Sequence, residues 1–114
     1  MDVAEIARVC HEVNRAYCLA LGDETQFAWE DAPQWQRDSA LAGVRLHLDH
    51  PETGPQASHE AWMHQKLYEG WSWGAEKDTV AKRYPCLVLY EDLPPEQRAK
   101  DFIFCGIVRA LRSA

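Results

Sequence analysis

The sequence lacks the features that mark several common protein classes. It has no apolar run near the roughly 20 residues needed to cross a bilayer, no Gly-rich phosphate loop and no Ser-centred nucleophile elbow. Its four cysteines form no Cys-x-x-Cys pair, so a structural zinc site is not indicated. The first residues carry neither the basic start nor the apolar run of a secretion signal. We therefore expect a soluble, cytoplasmic protein with reduced thiols, no metal and no cofactor.

Basic residues are also scarce relative to acidic ones. The chain has 12 Lys and Arg against 18 Asp and Glu, which gives a net charge of −6. Non-specific binding to nucleic acid depends on basic surface, so we expect neither nucleic acid nor membrane as a partner. Aromatic residues are abundant instead, with five Trp, four Tyr and three Phe in 114 residues. Such rings build either a core or the wall of a binding site, and the length suits a single domain over residues 1–114.

The spacing of apolar residues predicts a mainly α fold (α+β), a four-helix domain with short strands or extended segments. Apolar residues recur at three- and four-residue steps, so each helix has one apolar face that must be buried against another. The predicted helices run over residues 2–21, from about 31 to before 51, over 58–70 and from about 94 onward. Residues 84–90 are predicted to be extended, with 87–89 as a short buried strand or its equivalent.

Two parts of the chain resemble each other. The matches are His11-Glu12 with His59-Glu60, Gly22 with Gly70, residues 29–33 with 90–94, and residues 42–44 with 105–107, at offsets of 48, 48, 61 and 63. The order is the same in both halves: a helix, a loop, an aromatic-Glu-Asp-x-Pro run and a second helix. We interpret this as a helix pair used twice, related by a pseudo-two-fold axis.

One row of side chains suggests a binding site. His59, Trp62 and Lys66 lie at i, i+3 and i+7, so they share one face of the third helix. An indole can stack on a flat base while an imidazole and an ammonium meet phosphate. Further positive charge could come from Arg37, Arg98, Lys77, Lys82 and Arg83. A structural role fits the same pattern: Trp62 would then be a core residue, and Lys66 would send its charge to water.

A long ordered motif begins at this row. It reads His59-x-x-Trp62-x-x-x-Lys66-x-x-x-Gly70-Trp71-x-Trp73-Gly74-x-x-Lys77-Asp78, then Lys82-x-x-Pro85-Cys86-Leu87-x-x-Tyr90-x-x-Leu93-Pro94, and then Arg98-x-Lys100-Asp101. This order resembles the ryanodine-receptor repeat, or RyR domain. The resemblance is strongest over residues 58–104, and residues 1–22 form a helical N-terminal extension.

The resemblance implies a small stand-alone helical domain of the type found in bacteria and their viruses. It also implies recognition of a nucleotide-like small molecule, with the His59–Trp62 row on the ligand side. In channels with tandem repeats the ligand site lies between two repeats, so a second wall is needed here. The internal repeat offers His11, Asn14 and Cys18 for that wall, and a second chain in a homodimer is the alternative.

We therefore expect a non-catalytic module that senses or sequesters a nucleotide-derived molecule. The expected ligand-binding residues are His59, Trp62, Lys66, His11, Asn14 and Arg98. A protein–protein interaction or oligomerisation module without a small ligand is the alternative. Catalysis has little support, because Cys10 and His11 are neighbours that point about 100° apart on a helix.

Overall fold

The computed structural model describes residues 1–112 and confirms a mainly α fold. Within these residues four α-helices, two short 3-10 helices and two short strands follow one another. They are α1 (Val3–Ala20), η1 (Trp29–Asp31), α2 (Gln34–Asp49), α3 (Pro55–Tyr68), β1 (Ser72–Trp73), β2 (Arg83–Tyr84), η2 (Tyr90–Asp92) and α4 (Pro95–Leu111). The strands β1 and β2 pair in parallel. None of the helices in this range combines the length and the apolar character needed to cross a membrane.

The helix α1 forms the centre of the core. Its start is closed by a capping box, in which the Asp2 carboxylate accepts from the Glu5 N–H at 2.8 Å and the Glu5 carboxylate accepts from the Asp2 N–H at 2.8 Å. Its apolar stripe is buried against α2 and α4. The buried cluster consists of Ile6, Ala7, Cys10, Val44 and Val108. By contrast, α3 packs mainly on α4 and touches α2 lightly, so the space between α2 and α3 is less completely filled.

The two halves of the chain repeat the same contacts. The His11 Nε2–H donates to the Phe27 carbonyl at 2.6 Å, and the His59 Nε2–H donates to the Val88 carbonyl at 2.8 Å. Both imidazoles also contact rings that match in the repeat, Trp29 at 5.5 Å and Tyr90 at 6.0 Å between centroids. Phe27 and Val88 are 61 residues apart, as are the two rings. The predicted pairing of the halves is therefore present in the contacts themselves.

The first helix of each half also ends in the same way. Gly22 and Gly70 adopt φ values of +89° and +93°, the left-handed conformation that ends many helices. A backbone hydrogen bond that spans six residues closes each end. The Asp23 N–H donates to the Cys18 carbonyl at 2.9 Å, and the Trp71 N–H donates to the Lys66 carbonyl at 2.9 Å.

The second helices keep the offset of 61 that Gln36-Arg37 and Gln97-Arg98 predict, whereas the offset of 63 predicted for residues 42–44 and 105–107 does not hold. Val44 and His47 are buried in α2, and Cys105 and Val108 are buried in α4. These pairs are 61 residues apart, so the offset of the loops continues into the helices and the predicted offset of 63 is wrong. The match of residues 42–44 with 105–107 was predicted from similar residue types, whereas burial depends on the geometry of the helices.

Two predicted element boundaries also need correction. The helix α3 begins at Pro55 rather than Ser58, because a proline in the first turn has no N–H to leave unpaired. The strand predicted over 87–89 is absent from the described residues, and β2 ends at Tyr84 instead. Pro85 follows immediately and lacks the N–H that would continue the ladder. Leu87 is buried without a strand partner, and Leu89 is 52% exposed.

The positive φ at Gly22 gives a matched test of this fold. A Cβ added at Gly22 or at Gly106 would meet no atom within 4 Å, but Gly106 lies within α4 at an ordinary helical φ. We expect Gly22→Ala to lower the free energy of unfolding by about 1–2 kcal/mol through the left-handed conformation. Gly106→Ala should raise it by about 0.5–1 kcal/mol through helix propensity. Urea denaturation measures both changes, and the same sign in both variants would contradict the described helix end.

Candidate functional site

A cavity of about 400 Å³ lies between the four helices, and it is the candidate site. Four of the six expected ligand-binding residues line it: His59 and Trp62 from α3, and His11 and Asn14 from α1. The second wall was expected to come either from α1 or from a second chain. Because α1 lines the cavity, the chain itself supplies that wall. The volume falls within the roughly 300–1,000 Å³ typical of small-molecule sites.

The second helices line this cavity at matching positions of the repeat. The pairs are Gln36 with Gln97, Ser39 with Lys100, Ala40 with Asp101, and Gly43 with Phe104. On α2 these side chains are small or neutral, whereas α4 supplies a cation, an acid and a ring. A Cβ at Gly43 would lie 2.9 Å from the Phe104 Cζ, so the glycine makes room for that ring. One half of the repeat thus provides space and the other provides most of the charge.

His59, which is buried, and Asp101, which is partly buried, form a polar pair at the wall. Because a carbonyl can only accept, the bond to the Val88 carbonyl requires a proton on the His59 Nε2. The other ring nitrogen, Nδ1, lies 3.9 Å from the Asp101 Oδ2. Burial raises the pKa of Asp101 to about 6, although the nearby charges of His59 and Lys100 oppose the rise. This carboxyl can therefore change its hydrogen-bonding role near neutral pH.

The α1 side of the cavity is polar. The His11 imidazole is held by its bond to the Phe27 carbonyl, and its neighbour Glu12 accepts from the Trp29 N–H at 2.8 Å. The bond from Trp29 is the largest cause of the lowered pKa of Glu12. The Asn14 amide, within residues 1–112, has no hydrogen-bond partner of its own. It therefore offers a donor and an acceptor to a molecule in the cavity.

Aromatic rings form a connected wall on another side. Trp62 meets Tyr84 in a T-shaped contact with centroids 5.2 Å apart, and Trp71 lies 5.8 Å from Tyr84 and 5.2 Å from Trp35. Trp35, Trp62 and Tyr84 line the cavity, while Trp71 is buried behind them. Burial raises the pKa of the Tyr84 phenol, which stays neutral. The wall can thus stack against a flat ring without contributing charge.

The remaining two expected residues, Lys66 and Arg98, lie outside the lining. Lys66 is 1% exposed, its ammonium donates to the Glu69 carboxylate at 3.2 Å, and it lies 5.1 Å from the Trp35 ring centroid. The interpretation that Lys66 sends its charge to water is therefore wrong, because Glu69 and the indole face compensate the ammonium inside. Arg98 lies in the first turn of α4 and does not reach the cavity.

The position of Lys66 follows from the repeat. It matches Cys18, at an offset of 48, and both side chains are completely buried. A lysine thus occupies an interior position that a small thiol occupies in the other half. We assign Lys66 a supporting role, in which its ammonium holds Trp35 in place rather than touching a ligand.

The aromatic and charged lining residues outside the six expected ones include Trp35, Lys77, Tyr84, Lys100 and Asp101, and of these only Lys77 was expected, as a source of positive charge. Four of them lay within the long motif or at its edge, and Trp35 lay on the second predicted helix. The available signal was membership of that motif. Their convergence was not visible, because they come from two helices and a loop that meet in space alone.

A second Cys/His contact lies beside the cavity. The Cys105 thiol is 3.7 Å from the His47 Nε2, which also lies 3.1 Å from the Ser58 hydroxyl. Burial raises the pKa of Cys105 and lowers the pKa of His47. Both shifts favour the neutral forms, whereas a nucleophilic cysteine requires the thiolate. We interpret the contact as structural.

Comparison with known protein families gives one match. The RyR domain matches residues 49–108, which is more than half of the 114 residues. The matched segment runs from the end of α2 to near the end of α4, and it contains the His59–Asp101 pair and Trp62, Trp71 and Tyr84 of the aromatic wall, whereas Trp35 lies before it. The resemblance predicted from the motif is thus confirmed. The helix α1, which supplies His11 and Asn14, lies outside the matched segment.

The raised pKa of Asp101 predicts that replacing this side chain by a neutral one raises the free energy of unfolding, by an amount that depends on pH. The folded value of about 6 lies above the ordinary value of 3.8, so the buried carboxylate destabilises the fold above pH 6 and the cost vanishes as pH falls below about 4. We expect Asp101→Asn to raise the free energy of unfolding by about 1–3 kcal/mol at pH 7.5. At pH 4 the gain should be lost.

Chemical denaturation between pH 4 and pH 8 tests this expectation. The matched control is Asp92→Asn, which removes a carboxylate from an exposed position of η2. An equal gain in both variants would assign the effect to net charge and contradict the role of burial.

The buried ammonium of Lys66 gives a second stability test. Lys66→Met keeps the length of the side chain and leaves Glu69, which is partly exposed, in contact with water. We expect a change below about 1 kcal/mol, because apolar replacement of a buried charge is often neutral. Glu69→Gln leaves the ammonium buried without a carboxylate and should cost about 1–3 kcal/mol. A larger loss in Lys66→Met than in Glu69→Gln would show that the cation itself stabilises the ring wall.

Proposed function

The chain belongs to the RyR domain family, and from this premise we propose that it is a non-catalytic module that binds a nucleotide-derived small molecule. The ligand lies in the cavity between the four helices, where it is sensed or sequestered. One observation carries the proposal: a cavity of about 400 Å³ combines an aromatic wall with polar groups that have free hydrogen-bonding capacity. That combination suits a flat polar ring system better than a purely apolar ligand.

The aromatic wall supports recognition of a base. Trp62, Tyr84 and Trp35 are connected ring by ring through Trp71, so their positions are fixed before a ligand arrives. Stacking of a base on such a ring contributes about 1–3 kcal/mol. A preformed wall avoids the entropy cost of ordering loose side chains on binding. We therefore assign Trp62 as the main contact to the base.

The polar groups support recognition of the edges of the ligand. The Asn14 amide is available on one side, and Gln36 and Gln97 line the cavity at matching positions of the repeat. On the other side Asp101 lies beside His59, and burial raises the pKa of the Asp101 carboxyl to about 6. Amides and carboxyls of this kind pair with the donors and acceptors of bases and ribose.

The surroundings of the cavity suit retention rather than reaction. The cysteine nearest to a histidine, Cys105, is held in its neutral form. Sensing or sequestering requires burial of the ligand and no chemical step. All four cysteines in the described residues are free, which suits the reducing cytoplasm, and we propose a small stand-alone protein of bacteria or their viruses.

A protein-interaction module is the second candidate. It is favoured by large apolar side chains that are exposed at the end of α3 and in the segment that follows it: Tyr68 and Val80 at 93% and Trp73 at 56%. Exposed apolar groups of this size are typical of contact surfaces. Under this alternative, including a homodimer, light scattering across a dilution series would show association that Tyr68→Ser and Val80→Ser reduce.

Replacement of Trp62 tests the proposed ligand site. We expect the wild-type protein to be stabilised in a thermal-shift screen of adenine nucleotides and ADP-ribose-like compounds. Trp62→Ala should weaken binding of the hit about tenfold or more in calorimetry, because the stacking contact is lost. The control is Trp73→Ala, which removes an exposed indole outside the cavity. A folded Trp62→Ala protein that binds the hit as tightly as wild type would remove the site, and a wild type without any hit would favour the interaction module.

A further inference from the structure

We propose that the cavity contains an anion subsite in which a phosphate group of the ligand binds between the ammonium groups of Lys77 and Lys100. This inference rests on the proposed function and names the residues that would distinguish a nucleotide from a nucleoside. Neither lysine belongs to the His59–Trp62 row.

The two lysines come from separate elements and converge on one cavity. Lys77 lies in the loop between β1 and β2, and Lys100 lies on α4. The Lys77 Nζ lies 4.9 Å from the Tyr84 ring centroid and 5.7 Å from that of Trp35, so its ammonium is turned inward although much of the side chain is exposed. Burial lowers the pKa of Lys77, and the charge of Lys100 lowers it further against the opposing effect of Asp23. The two cations are therefore close enough to repel each other.

Neither ammonium has a counter-ion of its own. Across residues 1–112, no carboxylate lies within 4 Å of Lys77 or Lys100. The nearby acid Asp23 already accepts hydrogen bonds from the Thr25 hydroxyl and N–H, at 2.5 and 2.9 Å. Asp101 is shared with His59. Two unpaired cations beside a low-dielectric cavity are unfavourable, and a bound anion relieves that cost.

The contrast with Lys66 supports this assignment. Lys66 is the more deeply buried lysine, but its ammonium is already neutralised by Glu69 and lies outside the lining. A cation that is paired in the free protein has little to gain from a phosphate. Lys77 and Lys100 remain unpaired in a chain with a net charge of −6, where carboxylates are abundant.

The distances also fit one small ligand. Tyr84 contacts Trp62 at 5.2 Å on one side of the wall and the Lys77 ammonium at 4.9 Å. A base stacked on Trp62 and a phosphate bound to Lys77 would thus both lie next to the same phenol ring, that of Tyr84. That arrangement suits a nucleoside monophosphate. Lysines act here as flexible point charges, which is consistent with the lack of a Gly-rich phosphate loop.

The test compares four nucleoside monophosphates, AMP, GMP, CMP and UMP, with the matching nucleosides by calorimetry. We expect the wild-type protein to bind at least one monophosphate tenfold or more tightly than its nucleoside. Lys77→Gln and Lys100→Gln should each reduce that preference about fivefold, and the double variant should abolish it while affinity for the nucleoside is unchanged. The Lys100→Arg variant should retain most of the preference.

The control is Lys82→Gln in the same loop, because its ammonium donates to the Glu69 carbonyl at 2.9 Å and lies outside the cavity. Circular dichroism and thermal midpoints check that each variant is folded. A preference that survives in the folded double variant overturns the subsite and leaves the proposed function in place. Binding of nucleosides without a preference for monophosphates also overturns the subsite alone, whereas a wild type that binds neither class and gives no hit in the thermal-shift screen overturns both proposals.

Discussion

The bond from a buried imidazole to a loop carbonyl is the interaction on which both halves of the molecule depend. In each half it ties the first helix to the loop that leads into the second helix, through Phe27 for His11 and through Val88 for His59. Because the acceptor is a carbonyl, the bond fixes a proton on Nε2 and directs Nδ1 elsewhere. Each bond also satisfies a carbonyl that would otherwise lack a partner close to the core. The repeated fold and the repeated orientation of the two histidines thus have one cause.

The two halves share these helix and loop contacts as a common frame, but they differ at the positions that the frame brings to the cavity. Nδ1 of His59 faces Asp101, whereas the position matched to Asp101 in the first half is Ala40. Asn14 likewise stands where the second half has Trp62. Outside the lining, Cys18 stands where the second half has Lys66. The frame requires the same burial in both halves, but it does not require the same chemistry. A ligand in the cavity would therefore meet a charged and aromatic side and a smaller, neutral side.

The sequence predicted the parts of this structure that depend on local spacing. Helical periodicity predicted four helices, the i, i+3 spacing placed His59 beside Trp62, and the internal repeat pointed to His11 and Asn14 as a second wall. The parts that depend on contacts between distant segments were missed. The strand β2 was predicted at the wrong residues because it forms by pairing with β1, more than ten residues earlier, and not because of its own residue types. Lys66 was expected to bind the ligand or, as the alternative, to send its charge to water; its burial against the Trp35 ring was missed because that ring comes from another helix.

Charge provides a further reason to distinguish the site from the core. An interior shaped for stability alone pairs its charges, as Lys66 is paired with Glu69. The cavity departs from this rule, since Asp101 has a raised pKa caused mainly by burial and Lys77 has a lowered one for the same reason. Partial burial thus disfavours the charged forms of both side chains, although Asp101 lies beside His59 and much of Lys77 is exposed. A ligand that binds in the cavity and compensates these charges would offset that electrostatic cost and stabilise the fold.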